Sequence, residues 1–322
     1  MSDKTFKTYD ELIDILTERG ISISTPDERD YAKNILSQTG YYNLINGYSK
    51  LFLDYSTNSY KEGATLYEIH ALYQFDRVLR DIFFRYILRI ETHVKNLIAH
   101  SFSGRYGHSS YLLYTNFNTN IRDAKAKITA LIAEIQRQIA SRTSDPSISH
   151  YLNTYGYIPL WVLNNILTFG TISKFYSLMK TPERQSVSRA FGILDNELDS
   201  ELMYLSSVRN FCAHGNRLYC YRTKNPLLDT ALHTAMHIPK NSKGEYLYGK
   251  RDLFAAMIAV KRLLSNNDYH RMSKEVFRAL DTLSKKLNIL SLDEILHEMG
   301  FPSNWMQLDA ALNSAVQPTS ED

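Results

Sequence analysis

The chain has 322 residues, 44% of them hydrophobic and 22% charged, enough for a sizeable core. A net charge of +3 excludes a globally basic nucleic-acid binder, so any basic surface must be local. Thirteen Gly and eight Pro are too few for a turn-rich all-β fold. Cys212 and Cys220 give no disulfide framework and fit a reducing compartment. The N-terminus has no cationic segment leading into an apolar run, and no stretch of 18 apolar residues exists, so the expectation is a cytoplasmic protein with no membrane partner.

The expected class is all-α. Thr8 and Glu11 form a capping box before "LIDIL", and Thr25-Pro26-Asp27-Glu28 starts a second helix that should stop at Gly40. The aromatic segment "GYYNLINGYSKLFL" and a polar loop at 54–63 follow. From about 65 to 102 one wide apolar stripe recurs at helical spacing, from Ile69 through Phe75, Leu79, Phe83 and Ile90 to Leu97. A Ser-, Tyr- and Asn-rich loop (101–119) leads to the amphipathic "IRDAKAKITALIAEIQRQI", and "TSDPSIS" then punctuates the chain. Residues 159–180 read as helix, a break or kink near Gly170, then helix. Further helices start at Thr181 and at Asp195 or Asp199, and others are expected near 251–265, 269–286 and 291–299. The expected division is an N-terminal helical region (1–60), a helical core (61–222), a C-terminal helical region (223–302) and a disordered tail (303–322).

The segment "SSVRNFCAHGNRLYC" (206–220) departs from an ordinary helix. At about 100° per residue, Leu198, Leu202, Leu205, Val208, Cys212 and Ala213 share one apolar arc, and Arg209 projects from its middle. A charged side chain is almost never buried unpaired, so Arg209 either bonds a buried carboxylate or lines a cleft. Asp76, inside the apolar stripe, and Glu91, on its edge, are the candidate partners. Gly215 should end the helix and leave His214 at an exposed terminus.

Arg209-Asn210-Phe211-Cys212-Ala213-His214 reads Arg-x₄-His with a polar residue after the Arg, which resembles the HEPN superfamily of metal-independent ribonucleases and RNA-binding domains. That spacing also occurs by chance; the surrounding blocks carry the resemblance further. "RNFCAHGNRLY", "GYYNLINGY" (40–48), "LRDIFFRYILRIETHVKNLIAH" (79–100) and "PLWVLNNILTFGTISKFY" (159–176) resemble, in this order, the Abi-like abortive-infection family, AbiD/AbiF group. The resemblance implies a HEPN-like helical bundle, a role in bacterial antiphage defence and toxin-type RNA cleavage without a cofactor or metal. It implies Arg209, His214 and Asn210 as catalytic residues, and RNA as partner, including a small noncoding RNA in some relatives. Family members often carry an acid in the block after Trp161, where this chain has Asn164 and Asn165. Some HEPN toxins have a modifiable Tyr two residues after the His; Asn216 stands there in this chain.

RNA cleavage of this type needs a base, an acid and positive charge on the phosphate, and one His cannot easily serve both faces. A two-fold homodimer would bring two copies of the motif together. An in-chain second copy, Lys95-Asn96-Leu97-Ile98-Ala99-His100, has Lys for Arg and reads better as coincidence, leaving Lys95 and His100 as supporting candidates. Arg217 and Arg105 are candidate RNA contacts. A zinc site from Cys212, His214, Cys220, His233 and His237 has the wrong spacing for a knuckle. The other reading is a protein that binds RNA in the same cleft without cleaving it.

Overall fold

The structure, a computed structural model, describes residues 5–315 except Tyr55 and Asn58, with side chains to Ala311. It is all-α, with one two-stranded hairpin of β1 (Leu53–Asp54) and β2 (Ser59–Tyr60). Helix α1 is Tyr9–Glu18 and α2 is Pro26–Thr39, each opened by the capping box its sequence announces; Thr8 and Thr25 take the cap positions. Gly40, at φ 75°, ends α2. The aromatic segment then makes one wide turn, Tyr42–Asn46, instead of a regular helix.

Helix α3, Leu66–Tyr106, has 41 residues and is the axis of the molecule. At 1.5 Å per residue it is about 60 Å long. Ile69, Leu72, Phe75, Leu79, Phe83, Ile90 and Val94 are buried, as the periodicity predicts. The helix runs further than the stripe suggests and takes in the first residues of the Ser-rich segment, up to the positive-φ Gly107. Helices α4 (Ala124–Ala140), α5 (Pro146–Tyr155), α6 (Leu160–Leu163), α7 (Phe169–Leu178), α8 (Thr181–Arg189) and α9 (Asp195–Ala213) follow. Helix α5 was hidden in what reads as loop; Asp145 caps it, with Pro146 in its first turn. The break in 159–180 lies before Gly170, at 164–168. Thr168 caps α7, and Gly170 sits inside that helix against Ser206 of α9.

The C-terminal region contributes α10 (Ala231–Ala235), α11 (Leu253–Leu263), α12 (Asn266–Ser284), α13 (Leu292–Met299) and α14 (Leu308–Ala315). Helix α12 packs along α3, where Arg85 pairs with Glu275, Arg89 with Asp268, and Tyr86 donates to Glu275 at 2.9 Å. Glu68 of α3 is fully buried, and its Oε1 accepts the backbone N–H groups of Asn288, Ile289 and Leu290 at 2.9–3.2 Å. The C-terminal region therefore shares the core built on α3. The expectation of a disordered tail from 303 fails for its first part. Trp305, Leu308 and Ala311 are buried, and Asp309 pairs with the buried Lys261. Their apolar spacing is short, and its burial depends on a surface that α10 and α11 supply. Residues 316–322 lie outside the described residues.

Candidate functional site

Helix α9 runs antiparallel to α3, with Arg209 beside Glu91, Asn216 beside Arg80 and Tyr219 beside Asp76. Leu198, Leu202, Leu205, Val208 and Cys212 are buried as the wheel predicts, whereas Ala213 is exposed. Ala213 falls on the last helical turn, where the partner helix no longer covers it. Glu201 and Tyr204 are buried as well: Arg262 of α11 pairs with Glu201 at 2.7 Å, and Tyr204 donates to the Asp252 carbonyl at 2.6 Å.

The end of α9 is a two-bond helix stop. The Asn216 N–H reaches the Phe211 carbonyl at 3.2 Å, the Gly215 N–H reaches the Cys212 carbonyl at 3.1 Å, and Gly215 takes φ 68°. A side chain at 215 would strain that left-handed backbone. His214 is thereby the exposed residue that caps the end of α9, as Gly215 predicts.

Arg209 forms an ion pair with Glu91, not Asp76. Its Nε lies 3.5 Å from Glu91 Oε2, and its guanidinium sits 5.6 Å over the Phe84 ring. About a quarter of the side chain remains exposed. Its NH1 donates to Asn210 Oδ1 at 3.3 Å, and the Asn210 carbonyl accepts the His214 N–H at 3.1 Å. The three motif residues are thus linked by contact. Glu91 has a second, closer partner: Lys95 Nζ stands 2.8 Å from Oε1 and donates to the Leu167 carbonyl at 2.7 Å. Asn164 is buried against this group, and its amide donates to the Lys95 carbonyl at 2.6 Å.

Asp76 does different work. It is fully buried and accepts from the Tyr48 hydroxyl at 2.7 Å, from the Tyr219 N–H at 2.7 Å and from Arg80. Burial pushes its carboxyl above the usual range, against the pull of Arg80 and these donors. Burial and the Asp76 charge likewise push the Tyr48 phenol up. Arg80 also bonds the Asn216 carbonyl at 3.2 Å, so Asp76 and Arg80 hold the chain beyond α9 against α3.

These contacts build one wall of a cavity of about 490 Å³. It is lined by Tyr42, Asn43, Asn46, Gly47 and Tyr48 of the aromatic turn, by Tyr73 and Arg80 of α3, and by His214 to Arg217. Arg217 donates to the Asn46 and Gly47 carbonyls at 3.2 and 2.9 Å, which places it in this lining. The lining carries two arginines and a histidine and no carboxylate. Sequence reasoning missed Arg80, Tyr42, Asn43 and Asn46. The i,i+4 spacing of Asp76 and Arg80 was a readable signal for one pair. Nothing in the sequence shows that the 42–48 turn covers the end of α9.

The remaining candidates lie elsewhere within one chain. Lys95 is committed to Glu91, and His100 is exposed some 20 residues along α3 from Arg80, about 30 Å. Arg105 is about 37 Å from Arg80 on the same count and stands 3.8 Å from Glu183. His233 spends both ring nitrogens inside the fold, on Thr230 and on the Gly249 carbonyl. Burial pushes the Cys212 thiol up to about 12. Among the described residues no group of three His, Cys, Asp or Glu is placed to hold a metal ion, and no helix is long and apolar enough to cross a membrane.

A search of curated proteins and one of solved structures found no match. The sequence model described as Abi-like protein matches residues 34–220, from the middle of α2 to the segment after α9. That span contains the aromatic turn, all of α3 and both the Arg209–Glu91 contact and the His214 cavity. The match covers more than half of the chain, which belongs to the Abi-like family and is a protein of the abortive-infection type.

Proposed function

We propose that this protein is a metal-independent endoribonuclease of the HEPN type, active as a homodimer. The observation that supports the reading is His214, held exposed at a helix end in a cavity lined by Arg80 and Arg217 and by no acid. Such a lining favours a phosphate, because the Arg217 and Arg80 guanidinium groups border it and the one nearby carboxylate, Asp76, is buried behind Arg80 and outside the lining. In the reaction, one imidazole takes the proton of the ribose 2′-OH. The 2′-oxygen attacks phosphorus and the P–O5′ bond breaks. A second imidazole delivers a proton to O5′. The products are a 2′,3′-cyclic phosphate and a 5′-hydroxyl. Each chain supplies one such imidazole, so a partner chain is required for the second. Arg209, anchored by Glu91 and bonded to Asn210, stiffens the last turn that carries His214.

The expected result is RNA cleavage in EDTA, with cyclic phosphate ends, by a protein whose specific activity falls when dilution splits the dimer. Cleavage that needs Mg²⁺, or products with 3′-hydroxyl ends, would overturn the mechanism. Cleavage by a species that sediments as a monomer would overturn the shared site. One imidazole per cavity is also what a non-cleaving RNA-binding protein would need. RNA retention with no cleavage by the dimer would favour that second reading.

A further inference from the structure

We propose that the turn 42–46 and its neighbours form a nucleobase subsite beside His214, so that the cavity takes an unpaired nucleotide of single-stranded RNA. The inference rests on the reading of the cavity as an RNA phosphate site and adds the group that holds the base. Three observations carry it. The first is chemistry: the cavity joins the cations Arg80 and Arg217, beside His214, at one side to aromatic rings and amides at the other. A lone phosphate needs only the cations. Rings and amides next to them match a base joined to its phosphate, since every base has a stacking face and a hydrogen-bonding edge.

The second observation is which lining groups the fold already uses. Tyr48 is buried, donates to Asp76 and stacks on Tyr219 at 5.7 Å, so it belongs to the scaffold. Tyr42 lines the same cavity with 74% of its surface exposed, and no ring packs on it among the described residues. An exposed tyrosine with an open face is the group a base would stack on. Asn46 is exposed too. Its carbonyl accepts from Arg217, while its side-chain amide bonds no group among the described residues. Asn43 gives its amide N–H to the Thr39 carbonyl at 3.3 Å, which orients the side chain at the rim.

The third observation is rigidity and size. Arg217 ties the turn to the segment after α9 through the carbonyls of Asn46 and Gly47, and Arg80 ties that segment to α3. The base-holding and phosphate-holding sides are therefore fixed to each other before any ligand arrives. A cavity of about 490 Å³ lies within the usual small-ligand range of roughly 300–1,000 Å³. The positive surroundings continue outward: the Arg77 guanidinium lies 5.9 Å from the centre of the Tyr73 ring, and burial with Lys286 and Arg77 nearby pushes His70 down. A single-stranded backbone leaving the cavity on this side meets further cations.

Calorimetric titration of the full-length protein with the four nucleoside 3′-monophosphates, ribose 5-phosphate and inorganic phosphate tests the proposal. At least one nucleotide should bind ten-fold or more tighter than ribose 5-phosphate. Tyr42→Ala should weaken that nucleotide by roughly 5- to 150-fold and leave inorganic phosphate unchanged, while Tyr42→Phe retains the nucleotide. Tyr42 is exposed, so both variants should melt as the parent does. Equal binding of nucleotide and ribose phosphate, or undiminished nucleotide binding by Tyr42→Ala, would overturn the subsite. The two readings fail separately. Tyr42-dependent nucleotide binding by a protein that cleaves no RNA upholds the subsite and removes the cleavage reading. Cleavage with Tyr42→Ala unchanged in KM does the reverse.

Discussion

At the residue scale, Arg209 and His214 should separate into structural and chemical effects. On the sequence reading in which Arg209 pairs with a buried carboxylate, its removal strands that charge and would cost about 3–5 kcal/mol. Lys95 changes that expectation, because it is closer to Glu91 than Arg209 is, 2.8 against 3.5 Å. Arg209→Ala leaves Glu91 paired and should cost about 1 kcal/mol. Lys95→Ala removes the nearer charge and strands the Leu167 carbonyl, and should cost about 2–3 kcal/mol. The double variant should lose more than the sum, since only then is Glu91 unpaired in the fold. His214→Ala at an exposed helix end should leave the melting temperature nearly unchanged and abolish RNA cleavage. Urea titration of the four proteins checks the order; additivity would show that Lys95 and Arg209 do not share Glu91.

At the element scale, helix ends decide where chains turn, and glycines mark two kinds of end. Gly300 closes α13 at φ 74°, and a Cβ there would stand 2.3 Å from Asp252 Cγ. Asp252 is itself a cap: its Oδ1 accepts the Ala255 N–H of α11 and the Gly249 N–H, each at 3.1 Å. Gly192, at φ 67°, precedes α9, and a Cβ there would meet no atom within 4 Å. Gly192→Ala should therefore cost only the left-handed strain, about 1–2 kcal/mol. Gly300→Ala should cost clearly more, because it also displaces the cap of α11 and the Asp252 carbonyl that Tyr204 of α9 bonds. Thermal melts of both variants check this. Equal losses would show that Asp252 can move aside freely.

At the scale of the whole molecule, the C-terminal region is part of what holds α3 and α9. Glu68, Arg85, Tyr86 and Arg89 of α3 all bond residues beyond 265, and Arg262 of α11 holds Glu201 of α9. The family match ends at residue 220, yet the walls of the site lean on helices after it. Truncation after Pro302 should therefore destabilise the whole chain. It removes the buried Trp305 and Leu308, worth about 3–5 kcal/mol for the tryptophan alone, and leaves the buried Lys261 without its carboxylate. The expected outcome is a lower melting temperature in one transition shared by α3 and α9, read by hydrogen exchange. Unchanged protection of α3 would show that the C-terminal helices are accessory.

The sequence by itself determined the class, most helix starts and the family. Capping boxes at Thr8 and Thr25, the stripe on α3 and the glycine after His214 are local codes, written within a turn or two of the residues they govern. The blocks around Arg209 and His214 identify the family for the same reason: they are contiguous strings. Which carboxylate meets Arg209 was open between Asp76 and Glu91, because both lie on the inner side of α3 and only the axial register of α9 chooses between them. The same register sets Arg80 against Asn216 and so brings His214 to the turn at 42–48, about 170 residues earlier in the chain. No periodicity carries that distance. The packing of antiparallel helices decides it, and with it the shape and charge of the cavity.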